Sequence, residues 1–182
     1  MNLSPTNLTH NIPRFDRTPF AEDELRRQHP HRSPETKRTT KTILLADDDP
    51  GIREMLGRVL LAENFQVVTA ATGEETTQRF AATEPDLILL DLNMPDGDGW
   101  WAFRFINAEQ PMLPVIVITA RPNQAARATE LGVDAIMEKP LNLPVLLDEI
   151  KRLLAETDSE RARRLTQPDF APILLNGGTA QN

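Results

Sequence analysis

"TILLADDDPGIREMLGRVLLAEN" (Thr42–Asn64) passes from a short apolar, β-branched run through three consecutive aspartates into a segment that starts with proline. In that segment Ile52, Met55, Leu56, Val59 and Leu60 fall at helical spacing. Strand, charged turn and helix make one βα unit. A strand end has no structural need for three carboxylates side by side, so the triplet asks for a chemical reason.

The alternation continues downstream. "FQVVTA" (65–70), "DLILLDL" (86–92), "PVIVITA" (114–120) and the weaker "DAIME" (134–138) read as strands. Between and after them, "GEETTQRFAATE" (73–84), "GWWAFRFINAEQ" (99–110), "PNQAARATELG" (122–132) and "NLPVLLDEIKRLLAE" (142–156) read as helices, the third closed by Gly132. Strands apolar on both faces, separated by amphipathic helices, require a parallel sheet covered on both sides. The expected class is therefore α/β: a doubly wound (βα)5 domain over residues 41–155 with a five-stranded parallel sheet.

The flanks differ in texture. Residues 1–40 hold Pro5, Pro13, Pro19, Pro30 and Pro34 with no sustained period, and are expected to form a disordered arm. His10, His29 and His31 all lie there, in a polar, proline-broken setting that suits solvated surface better than an internal phosphodonor. Residues 156–182 read as a frayed helix end and a tail with one apolar stretch, Phe170–Leu175. Neither flank has the makings of a DNA-binding or catalytic domain, so a stand-alone domain with tails is expected.

Composition narrows the function. The 182 residues include no cysteine, which removes disulfides and thiolate metal sites. Of the net charge of -7, residues 41–155 carry -8, from ten Lys/Arg against eighteen Asp/Glu. An acidic body is a poor phosphate-backbone surface, so no nucleic-acid partner is expected there. No apolar run approaches the roughly 20 residues of a membrane span, and the first residues do not read as a signal peptide. A cytoplasmic location, with no membrane partner, is the expectation.

Open parallel sheets bind ligands beyond the carboxyl ends of their strands. Here the strand ends carry Asp47, Asp48 and Asp49, then Asp91, then Thr119-Ala120, then Lys139-Pro140. Any one of these reads as a turn or cap; four at one edge do not. Clustered carboxylates resist joint ionisation, and a hard divalent cation such as Mg²⁺, with oxygen ligands, removes that difficulty. A carboxylate beside Mg²⁺ and a lysine can act as a nucleophile towards phosphorus.

"ILLADDDPGIR", "LILLDLNMPDGDGW", "VIVITAR" and "MEKPL", in this order and spacing, resemble the receiver domain of two-component response regulators. The resemblance covers residues 41–155 and implies a flavodoxin-like fold. It implies Asp91 as phosphoacceptor, Asp48 as a direct Mg²⁺ ligand with Asp47 assisting through water, and the Asn93 carbonyl completing the protein's share. It further implies Thr119 and the Ala120 amide as partners of the phosphoryl group, Lys139 as the cation that pairs with Asp91 or the phosphoryl oxygens, and a cis Lys139–Pro140 bond. The implied partners are a sensor histidine kinase or phosphotransfer protein and a downstream protein; a homodimer is a separate option, through the aromatic face of "GWWAFRFINAEQ". The chain would be a signalling phosphoacceptor, not an enzyme.

One position departs from the pattern: Ile136 stands where the family usually has a rotating aromatic, so the usual threonine-to-aromatic coupling has no counterpart. Asp49 reads as a helix cap, and Gly97 and Gly99 as turn residues. Two other readings stay open. A haloacid-dehalogenase-like phosphatase uses similar groups in a different order, with D-x-D on the first catalytic strand; an unphosphorylated interaction module would keep the fold alone. On "GWWAFRFINAEQ", Trp100, Phe103 and Ile106 should face the sheet. Trp101 and Phe105 belong to a neighbouring face, as a broadened core stripe, under cover of "FAPILL", or as a partner contact.

Overall fold

The computed structural model describes residues 40–94 and 99–175. Residues 1–39 of the expected N-terminal arm with its histidines, Gly97 and residues 176–182 lie outside them.

All five expected strands form: β1 (Thr42–Ala46), β2 (Gln66–Ala70), β3 (Leu87–Asp91), β4 (Val115–Thr119) and β5 (Ala135–Glu138). The helices between and after them are α1 (Pro50–Ala62), α2 (Gly73–Thr83), α3 (Gly99–Glu109), α4 (Ala125–Leu131) and α5 (Leu143–Ala155). Local chemistry sets their ends. The Asp49 carboxylate caps α1 by accepting from Gly51 N–H at 2.7 Å and Ile52 N–H at 3.3 Å. Thr72 caps α2 and Asn142 caps α5 in the same manner. Gly132 ends α4 at φ 75°, a left-handed conformation that suits glycine.

Successive strand residues point to opposite faces, which splits the core into two layers. Ile43, Leu45, Leu87, Leu89, Ile116 and Ile118 pack with Leu56 and Leu60 of α1 and Leu146, Ile150 and Leu153 of α5. Leu44, Ala46, Ile88, Leu90 and Val117 pack with Phe80 of α2, Trp100, Phe103 and Ile106 of α3, and Ala128 of α4. Being covered on both sides is what the continuous apolar runs demanded.

The sheet has a sixth strand, giving the order β2-β1-β3-β4-β5-β6, all parallel. The segment after Glu156 thus differs from the tail expected of it. A helix, α6 (Asp158–Leu165), opens with a Thr157–Glu160 capping box, and β6 (Ile173–Leu175) pairs with β5 with Leu174 opposite Ile136. The sequence conceals this because α6 is held by charge: its buried residue is Arg161, so no apolar stripe announces it. A three-residue strand is also too short to show a period.

On α3, Trp100, Phe103 and Ile106 are buried as expected. Trp101 and Phe105 are 45 % and 41 % exposed and stack on each other with ring centroids 6.2 Å apart. Neither ring is buried, by the core or by "FAPILL", whose last three residues pair with β5.

β1 sits between β2 and β3, so the chain leaves β1 to one side and later returns on the other. The carboxyl ends of β1 and β3 flank the crevice that this reversal opens.

Candidate functional site

Asp47 follows β1 directly, its N–H continuing the ladder to Ala70 O at 3.1 Å, and Asp91 is the last residue of β3. Both are 1 % exposed, whereas Asp48 is exposed. One carboxylate oxygen from each of the three lies within 4.8 Å of the others. Asp47 Oδ1 accepts from Asp49 N–H at 3.0 Å, and Asp91 Oδ1 accepts from Asn93 N–H at 3.0 Å. Each buried carboxylate therefore has one oxygen fixed by the turn that follows it.

The other oxygens meet on one cation. Lys139 Nζ donates to Asp91 Oδ2 at 2.7 Å and to Asp47 Oδ2 at 2.9 Å. Lys139 lies just past β5, its own N–H bonded to Thr119 O at 2.8 Å and its bond to Pro140 cis. Thr119 ends β4, fully buried, with Oγ1 accepting from Arg121 N–H at 2.9 Å; Ala120 beside it is exposed. The ends of β1, β3, β4 and β5 thus bring Asp47, Asp48, Asp91, Asn93, Thr119, Ala120 and Lys139 to one edge.

Burial pushes the Asp47 carboxyl above its ordinary range, and its bonds from Lys139 and Asp49 only partly oppose this. For Lys139 burial is the largest single influence and acts downward, but the hydrogen bonds to Asp91 and Asp47 outweigh it and hold the ammonium above its usual value. The site contains one firmly held cation among three acids, a donor set of hard oxygens that suits Mg²⁺.

Two contributors escaped the sequence reading. Arg53, one turn into α1, folds back so that Nη1 donates to Asp47 O at 2.6 Å, fixing the peptide that carries the acid pair. Its place four residues after the helix cap was the available signal. Gly99 is more than a turn residue: a β-carbon there would meet the Asp91 carbonyl oxygen at 2.3 Å, so α3 needs glycine to start where it does.

The model of the response regulator receiver domain matches residues 43–151. The chain belongs to that family. Phosphorylation on aspartate characterises receiver domains of two-component systems. Among relatives, the transcriptional regulatory protein GlrR of Escherichia coli (strain K12) is 37 % identical over 74 % of this chain and 35 % of its own length. The response regulator MprA of Mycobacterium leprae (strain TN) is 33 % identical over 76 % of this chain and 62 % of its own. The chain thus spans about a third to three fifths of these relatives. A CheY-like receiver from Methanospirillum hungatei JF-1 superposes with a TM-score of 0.61 at 28 % identity, covering 69 % of this chain and 98 % of its own. The response regulator TrrA of Thermotoga maritima, in complex with Mg(2+)-BeF, gives 0.59 at 31 %, covering 63 % and 99 %. Among the described residues of this receiver chain, no helix is long and apolar enough to cross a membrane.

Proposed function

We propose that this receiver takes a phosphoryl group onto Asp91 from the phosphohistidine of a sensor kinase or phosphotransfer protein and passes the signal on through protein contacts. The observation that carries the reading is Lys139 bridging Asp47 and Asp91 within a cluster of three acids. An Asp91 carboxylate oxygen attacks phosphorus, a P–O bond forms as the P–N bond of the donor breaks, and the imidazole departs. Lys139 stays paired with the charge as it moves onto the phosphoryl oxygens. Thr119 Oγ and the Ala120 N–H supply hydrogen bonds to those oxygens. Asp48, Asp91 and the Asn93 carbonyl would hold Mg²⁺, with Asp47 bound through water. When bound, the ion offsets negative charge on the transferring group.

Residues 41–155 form the receiver in this reading. Motif order disfavours the phosphatase alternative, because the acid pair precedes the nucleophile's strand. The chain is spent once per transfer and is a signalling acceptor in the cytoplasm. A downstream protein partner completes the pathway; since one relative is named a transcriptional regulator, a DNA-binding output fits as well.

The test is phosphorylation by acetyl phosphate or a cognate kinase, followed by intact mass. A gain of one phosphoryl group that needs Mg²⁺ and disappears in Asp91→Asn is expected. Labelling that survives in Asp91→Asn, or that ignores chelation of divalent metal, overturns the reading.

A further inference from the structure

The segment from Glu156 to Leu175 runs past the family match, which ends at residue 151, yet it is built into the sheet. Its anchor is Asp134, just before β5 and 1 % exposed. Asp134 Oδ2 accepts from Val115 N–H at 2.9 Å. Its Oδ1 accepts from Arg161 Nη1 at 2.6 Å and Arg164 Nη2 at 2.7 Å. Arg161 also donates to Leu113 O at 2.9 Å, Arg164 forks onto Glu156 at 2.8 and 2.7 Å, and Ile173 N–H donates to Asp134 O at 3.0 Å. The Asp134 carboxylate ties α6 to the start of β4, and its main-chain carbonyl ties the start of β6 to β5.

Full apolar burial in this docking is limited to Pro172 and Leu175, with Leu165 and Phe170 half-buried. Leu175 is the buried residue of β6, while Ile173 and Leu174 are exposed. Ion pairs taken out of water return little net stability, because desolvation offsets their attraction. Arg161 Nε is buried without a partner, a further cost. A three-residue edge strand beside a helix held mainly by charge stands at the low end of local stability, whereas the five-stranded core stands at the high end.

The docking site leads to the acid cluster. β6 pairs with β5 through Ala135↔Ile173, Ile136↔Leu174 and Met137↔Leu175. Two residues beyond Met137 is Lys139, whose ammonium bridges Asp47 and Asp91 and whose N–H holds Thr119 O. We propose that Thr157–Leu175 is a strap on the β5 edge whose docking is opposed by occupancy of Asp91. This rests on Asp91 being the phosphoacceptor. A group on Asp91 draws Lys139 away from Asp47 towards new anionic oxygens and shifts the end of β5 against β6. The weakly held strap yields before the core does. Such a relay runs along the β5 backbone and needs no rotating aromatic at Ile136.

The test uses the full chain with beryllofluoride and Mg²⁺, the group named in the TrrA complex. Hydrogen exchange across residues 170–175 should accelerate about 5-fold or more on binding, and by reciprocity a strap-weakened chain should bind beryllofluoride tighter by a similar factor. Two variants weaken the strap: Arg161→Gln with Arg164→Gln removes the clamp, and Ile173→Pro removes the donor to Asp134 O while leaving the clamp. If the first fails to fold, the second carries the measurement. Exchange that is unchanged or slower while the wild type binds, or wild-type affinity in a folded strap variant, overturns the proposal. If the wild type binds no beryllofluoride, or Asp91→Asn binds it equally, the assignment of Asp91 falls and takes the linkage with it. That outcome is read before the strap is altered.

Discussion

A β-carbon on Gly99 would lie 2.3 Å from the Asp91 carbonyl oxygen and 2.7 Å from Leu92 Cα. The first turn of α3 therefore rests on the backbone that carries the acid, with no flexible side chain in between to yield. Gly99→Ala must push α3 away or displace the Asp91–Leu92 peptide. The expected cost is about 2 kcal/mol or more, as for overpacking against rigid neighbours, with slower labelling of Asp91. Urea unfolding together with a phosphorylation time course checks it; wild-type values in both would mean the contact relaxes freely.

The aspartate triplet divides by register. Asp48→Ala should abolish Mg²⁺ binding, measured by calorimetry, with little change in unfolding free energy. Asp49→Ala should keep Mg²⁺ binding and lose about 1 kcal/mol of stability, because its carboxylate caps Gly51 and Ile52 N–H. Equal loss of metal in the two variants would place the ligands one residue off.

How much of this was legible in the sequence follows from the kind of interaction involved. Strands β1, β3 and β4 are apolar on both faces and α1 and α3 carry apolar stripes, so period alone located them, and strand ends located the site. Contacts that neither period nor strand ends mark were harder to read: Lys139 reaching Asp47 as well as Asp91, Arg53 on the Asp47 carbonyl, and the space Gly99 leaves for the Asp91 backbone. The segment Asp158–Leu175 was missed for a related reason. Its docking depends on Asp134, and a pattern of charges along a chain does not say which buried acid it will meet.

Acid should loosen that same segment. The Arg164 guanidinium holds the Glu156 carboxyl below its ordinary range, and Glu156 is 11 % exposed at the side chain. A depressed folded-state value stabilises above the unfolded pKa of about 4.3, and that contribution is lost as pH falls through the folded value. Glu156→Gln should therefore cost stability at pH 7, about 1 kcal/mol or less given solvent near the pair. The difference from wild type should vanish well below pH 4, as followed by urea titrations across that range. A constant difference at all pH values would show that the charge contributes nothing.

The adjacent tryptophans should behave as opposites. Trp100 is fully buried, donates from Nε1 to Gln124 Oε1 at 3.2 Å and lies under the Arg127 guanidinium at 5.0 Å from the ring centroid. Trp100→Ala removes a large core side chain and should cost about 3–5 kcal/mol. Trp101 and Phe105 stay exposed and stack on each other, an arrangement that contributes about 1 kcal/mol. Trp101→Ala with Phe105→Ala should thus lower stability by less than about 2 kcal/mol and leave Asp91 labelling at the wild-type rate, since the acids bond to Lys139 and to turn N–H groups rather than to α3 side chains. Urea unfolding of the two proteins beside wild type decides it. A double variant as unstable as Trp100→Ala would place the exposed pair in the core.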